Sequence, residues 1–190
     1  MNKHDYTVKQ IPRVETLDYI LTKHYARRVP SISYAFGLFY KEEFVGCITY
    51  GSPASPALCK GVCGESYRKQ VIELNRLVLL NNKTNEASYL VSRSLKMLGV
   101  LTDRIVVSYA DSAQDHKGIV YQASNFLFTG TSKKRTDIAS EDGKHSRHHL
   151  GDRSKRVVRS PKHRYITFVG SRKFKKEARK HLNYTPTQYP

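Results

Sequence analysis

Hydrophobic positions along this 190-residue chain switch between two periods, and the switches divide it into strands and helices. Val14, Leu17, Ile20 and Leu21 recur at helical spacing, which predicts a helix over residues 13–29 ended by Pro30. Residues 33–40 and 43–50 are aromatic-rich apolar runs that meet at Lys41-Glu42, the pattern of an antiparallel hairpin. Residues 51–56 (GSPASP) read as turn and loop, continued to about Arg68. A strand is expected over 71–80, then a helix over 86–99 with Ala87, Leu90, Val91, Leu95 and Leu98 on one face. Residues 104–109 form a second buried strand, because β-branched side chains crowd its centre. A helix over 118–125, a short strand over 126–128, a strand over 164–170 and a helix over 173–181 complete the pattern. Residues 131–156 carry almost no apolar side chains and predict a long loop. The order predicts an α/β (α+β) fold of one domain, with a mixed central sheet flanked by helices. Residues 1–130 make its core, and 131–190 add a basic loop, a closing strand and a helix.

Chemistry concentrates where the strand 104–109 ends. Ser108, Tyr109, Asp111 and His116 bring a hydroxyl, a phenol, a carboxylate and an imidazole to one strand terminus, and Tyr121 and Gln122 follow on the next helix. At that edge of an open α/β sheet, loops converge on ligands without breaking the ladder. Asp111 reads as a base, as a metal ligand, or as a cap for the following turn. Ser108 and Tyr109 alternate, so one faces a cleft and the other packs. His116 is a proton shuttle, a ligand or an exposed loop histidine. His24 sits beside Arg27 and Arg28 and complements a helix end. With Asp111 and His116 it would make a two-histidine, one-carboxylate set of the kind that holds ferrous iron, with Tyr25 as a further oxygen ligand. Gln122 suits an adenine edge, and Tyr121 suits a stacked base or a core position. Glu73 and Arg76 are charges in an apolar strand, and their spacing of three puts them on opposite faces under strict alternation. Each is salt-bridged structurally or faces a cleft.

Charge changes the picture. The net charge is +17, and residues 131–190 hold 17 of the 33 Lys and Arg but only 5 of the 16 Asp and Glu. That asymmetry points to a polyanion, and the basic residues lack the apolar helical stripe of a membrane-surface segment. Nucleic acid is the expected partner, with Arg27, Arg28, Gln122, Lys133, Lys134, Arg135, Arg147, Arg153, Arg156 and Arg164 as candidate contacts. No run of apolar residues is long enough to span a membrane, and the polar N-terminus has no signal-peptide core. Cys47, Cys59 and Cys63 suit a reducing compartment, the cytoplasm. Cys59-x3-Cys63 is half a zinc motif without a second half.

The order of elements resembles the GNAT acyltransferase fold, in which two central strands splay around a cleft. That fold uses a Gly-rich loop so that backbone N–H groups can approach the pyrophosphate of coenzyme A. This chain has NNKTNEAS there, so the phosphate loop of an acyl-CoA donor is not recognisable. An ordered set of motifs is more specific: His24-Tyr25…Arg28-x-Pro30, FGLFYKEEFVGCITYG, ELNRL, Asn85-x-x-Ser88, SYAD, His116-x-Gly118-x-x-Tyr121-Gln122-Ala123, Thr129-Gly130 and RYITFVG…Tyr189-Pro190. Over residues 20–190 the set resembles the Mom family of phage DNA-modification proteins. The resemblance implies a GNAT-like transferase that acts on double-stranded DNA in the cytoplasm of an infected bacterial host, places a small amide-bearing group on adenine N6 and shields phage DNA from restriction. It implies an Fe(II) requirement and leaves the donor open. Catalytic candidates are then Asp111, Ser108, Tyr109, His116 and Tyr121, cofactor candidates Asn85 and Ser88, and metal candidates His24, Tyr25, Asp111 and His116. Two alternatives remain: a GNAT acyltransferase acting on a protein or small molecule, and a non-catalytic basic DNA-binding counter-defence protein.

Overall fold

A computed structural model describes residues 1–138 and 154–190. Its frame is a seven-stranded mixed sheet in the order β1-β2-β3-β4-β5-β9-β6. The strands are β1 (Tyr6–Gln10), β2 (Tyr34–Tyr40), β3 (Glu43–Gly51), β4 (Val71–Leu79), β5 (Arg104–Asp111), β6 (Leu127–Thr131) and β9 (Lys162–Val169). β4 and β5 pair in parallel and the other neighbours antiparallel. Two further strands, β7 (Arg135–Ile138) and β8 (Arg156–Arg159), form a separate antiparallel ribbon. The helices are α1 (Pro56–Cys63), α2 (Glu86–Leu101), α3 (Ile119–Ala123) and α4 (Arg172–Lys180).

Each sheet face is apolar because each is covered. On one face α2 presses Leu90, Val91, Leu95 and Leu98 onto Phe36, Ile48, Tyr50, Leu74 and Val106. On the other, Val62 and Cys63 of α1 and Ala178 of α4 pack on Ile105, Val107 and Ile166. A third cluster, Ile11, Ile20, Ala35, Cys47 and Val78, lies under the N-terminal turns. Among the described residues no helix is long and apolar enough to cross a membrane.

Three segments depart from the sequence pattern, and β1 stands where no strand was expected. The helix expected over 13–29 is a 3₁₀ turn at Arg13–Thr16 and one π turn at Tyr19–Lys23, closed where the His24 N–H reaches Tyr19 O at 3.1 Å. Its wide turn seats Ile20 in the third cluster. The loop expected after Gly51 contains α1: Ser55 accepts from the Leu58 N–H and Pro56 opens the first turn, a start signal hidden in a Pro-Ser-rich string. The long loop expected over 131–156 has β7 and β8 at its described ends. Cys59 and Cys63 belong to the packing of α1, and the Cys63 thiol contacts Ala178 O, so the half-motif for zinc is a helix-packing pattern.

Candidate active site

The site begins where the central ladder stops. β4 and β5 pair from Val71↔Ile105 to Leu74↔Ser108 and then part. The Ser108 hydroxyl donates to Leu74 O at 3.1 Å and so satisfies the last paired carbonyl before the gap. Ser108 is fully buried, which makes it the packed member of the Ser108–Tyr109 pair, while Tyr109 lines the opening. The resulting cleft has a volume of about 610 Å³ and is bounded by β4, β5, α3, the His24-Tyr25 segment and Lys162.

A bulge shapes its β4 wall. Thr49 pairs with Arg76 and Tyr50 with Leu74, which leaves Asn75 as an extra residue. The bulge is fixed by side chains: Asn75 Oδ1 accepts from Thr49 at 2.6 Å and Nδ2 donates to Ser31 O at 2.7 Å. An inserted residue reverses the alternation, so Leu74 and Leu77 share the α2 face. Glu73 and Arg76 therefore share the opposite face, contrary to strict alternation, and both line the cleft.

Arg76 clamps a strap across this cleft. Its Nε and Nη2 donate to Arg28 O at 3.2 and 2.7 Å, and Nη1 donates to Asn75 O at 2.6 Å. That holds the segment carrying His24 and Tyr25, whose rings stack at 4.4 Å, near His116, whose ring lies 6.2 Å from Tyr25. Glu73 is half-buried, and its carboxylate has no hydrogen-bond or ion-pair partner among the described residues. Burial raises its pKa above the usual carboxylate range, opposed by Arg76, Lys162 and Arg28. Burial and then Glu73 push the Tyr109 phenol up, and burial takes Tyr121 to about 12.

Other expected residues are committed elsewhere. Asp111 Oδ1 caps the Ala113 N–H at 3.0 Å and accepts from Ser160, while Oδ2 pairs with Lys162 at 3.0 Å. Burial raises the Asp111 carboxyl, but the Ser160, Lys162 and Ala113 contacts outweigh it and hold the group below its ordinary value. The Gln122 Nε2 donates to Lys117 O and Tyr165 Oη, which ties α3 to β9. Arg164 bonds Thr129 through Nε and Nη2 and stacks on Tyr184 at 3.4 Å, so it is a structural cation. Asn85 has a left-handed backbone and its carbonyl accepts from Ser88, which closes the first turn of α2. Arg27 and Lys133, Lys134, Arg135 and Arg156 are exposed, and Arg28 is half-buried beside the strap. Arg147 and Arg153 lie outside the described residues. Gly118 is required where it is: φ is +74°, and a Cβ there would stand 2.4 Å from the Tyr165 ring.

The iron expectation is overturned. Among the described residues no group of three or more His, Cys, Asp or Glu side chains is placed to hold a metal ion. His24, Tyr25, Asp111 and His116 do not form a ligand set, because the Asp111 carboxylate is engaged by Ser160, Lys162 and Ala113 and His24 Nδ1 accepts from the Ala26 N–H at 3.0 Å.

His24 gives a pH signature. Burial, then Arg76, His116 and Lys162, lower its pKa to about 4, against 6.5 for an ordinary histidine. Between those values the unfolded chain binds a proton that the folded chain refuses, so stability falls as pH drops from 6.5 towards 4. Denaturant midpoints across that window are expected to fall less steeply in His24→Gln than in the wild type; parallel curves would count against a neutral, buried imidazole.

Glu73 is the site residue that strict alternation hides. The sequence signal was present, a carboxylate in an otherwise apolar strand, but only the Asn75 bulge brings it beside Arg76 and Tyr109. A parallel pair splayed around a cleft, with a late strand inserted between β5 and β6, defines the GNAT-like class. The fold matches an N-acetyltransferase from Staphylococcus aureus with a TM-score of 0.52 at 15% identity, covering 85% of this chain and 97% of that one. It also matches a Bacillus subtilis acetyltransferase in complex with CoA, with a TM-score of 0.51 at 12% identity over 85% and 95% of the chains. Within that class, residues 5–190 match the model of the Mom protein family, and the chain belongs to that family. The methylcarbamoylase mom of Escherichia phage Mu is 36% identical over 129 residues, which cover 63% of this chain and about half, 54%, of that relative.

Proposed function

We propose that the protein transfers a small amide-bearing group to the exocyclic N6 of adenine in phage DNA and thereby blocks restriction. Membership of the Mom family supports the reaction class, and the name of the phage Mu relative supports a methylcarbamoyl group. The observation that carries the reading is the unpaired, half-buried Glu73 carboxylate in a cleft large enough for a base swung out of the duplex. N6 is a weak nucleophile because its lone pair is delocalised into the ring, so its attack needs a base. Glu73 takes the N6 proton as the N–C bond to the donor's electrophilic carbon forms, and the donor's leaving group departs with its bonding pair. Tyr109 and Tyr121 flank the base, Arg76 holds the strap, and Asp111 positions Lys162 rather than acting as the base. The exposed Arg135 of β7 and Arg156 of β8, and the neighbouring Lys133 and Lys134, offer phosphate contacts.

Nucleoside mass spectrometry of DNA from cells expressing the protein tests the reading. An adenosine adduct carrying the added mass on N6 is expected. Unmodified DNA alongside an acylated protein or metabolite would transfer the assignment to an ordinary acyltransferase.

A further inference from the structure

Away from the cleft, α4 carries a row of cations that the reaction does not use. Arg172, Lys175, Lys176 and Arg179 follow the i, i+3, i+4, i+7 spacing of one helical face and are all exposed. They form one wall of an open groove of about 600 Å³, with Asn125 and Thr167 among the residues of the other. Glu177 is the single acidic residue of the helix, and it is spent on Lys180 at 3.0 Å. None of the four cations has a carboxylate partner among the described residues. Like charges at these spacings oppose helix formation, so the row gains from an anion laid along it. Phe174 packs inward with Tyr67, and Ala178 is buried against the sheet, so the outer face has no apolar side chain to sink into a bilayer.

The dimensions fit a nucleic-acid backbone. From Arg172 to Arg179 the row runs about 10 Å, which matches about three base-pair steps of 3.4 Å along a duplex axis. Its place relative to the cleft follows from β9: Lys162 lines the cleft and Thr167 lines the groove, five residues or about 17 Å away. That is the axial length of about five base pairs.

We propose that the α4 groove is a second phosphate-backbone site, which grips the flank of a duplex about five base pairs from the adenine in the cleft. The proposal rests on the DNA reading above and adds where the duplex runs. The test is salt-dependent binding of a duplex spanning both sites, by wild type and by the quadruple variant Arg172→Gln, Lys175→Gln, Lys176→Gln, Arg179→Gln. Gln keeps helix propensity, and thermal melts report the fold. The slope of log affinity against log salt is expected to fall by about 3 to 4 in the variant. Uncharged methylphosphonates about five base pairs to one side of the target should shallow the wild-type slope and leave the variant's unchanged, a readout independent of any mutation. Equal slopes for the two proteins, with wild-type binding intact, would overturn the groove alone. A wild type with no salt-dependent duplex binding would overturn both the groove and the DNA reading. Loss of binding to phosphatidylserine vesicles with an unaltered duplex slope would reassign the row to membranes and overturn the proposal.

Discussion

Replacing Glu73 by Gln is expected to slow the accumulation of modified adenine by about 100- to 10,000-fold, the usual contribution of a positioned general base. The change is close to isosteric and removes the only proton acceptor that the β4 wall presents to the cleft among the described residues. Stability should hold or rise, because burial already disfavours the charge at Glu73 and no partner is left stranded. That combination separates the assignment from a structural one. A salt-bridge role would show as a lower melting temperature with activity following it down. Glu73→Asp, which retains the carboxylate but withdraws it, should fall between. Wild-type adduct levels in Glu73→Gln, measured by nucleoside mass spectrometry soon after induction, would remove Glu73 from the chemistry.

The second large effect is expected at the start of α2. Glu86 is 2% exposed, and its two oxygens accept from Tyr6 Oη at 2.7 Å and from the Lys83 N–H at 2.8 Å. Burial, then the bond to Glu86, push the Tyr6 phenol up to about 12. Glu86→Ala strands both donors, and charged hydrogen bonds of this kind contribute about 1.5–3 kcal/mol each. A loss of about 3–5 kcal/mol follows, or roughly 10 °C in melting temperature for a chain of this size. Tyr6→Phe on the Glu86→Ala background should cost little more, since the partner is already gone. A melting temperature within about 2 °C of wild type would show that the carboxylate is solvated.

Periodicity revealed the frame of this molecule and missed its joints. The hairpin, β4, α2 and β5 are long and apolar enough for their alternation to be read directly, and α2 begins at Glu86 as the pattern predicts. α1 was obscured because Ser-Pro starts a helix as readily as it makes a turn, and only tertiary burial of Val62 and Cys63 decides. β1 was missed because five residues with Tyr6 inward are too few to outweigh a polar terminus. At the site, Tyr109, His116, Tyr121, His24 and Tyr25 line one cleft. Their roles depended on geometry that spacing does not encode. Asp111 is a cap and ion-pair partner because Lys162 of β9 and Ser160 just before that strand arrive some fifty residues later. Glu73 enters the cleft only through a one-residue bulge.

The insertion of β9 between β5 and β6 also orders the birth of the enzyme. β5 has β9 as its whole outer neighbour, pairing Arg104↔Val169 through Asp111↔Lys162, and β6 reaches the sheet only through β9. A nascent chain that has not yet released residues 162–169 therefore holds β5 and β6 apart, with unpaired backbone on both and without the lysine that lines the cleft. Closing that gap joins segments nearly sixty residues apart, a slow step compared with forming the β2–β3 hairpin. The outer pairing of β5, the docking of β6 and the arrival of Lys162 at the cleft thus wait until translation has passed β9.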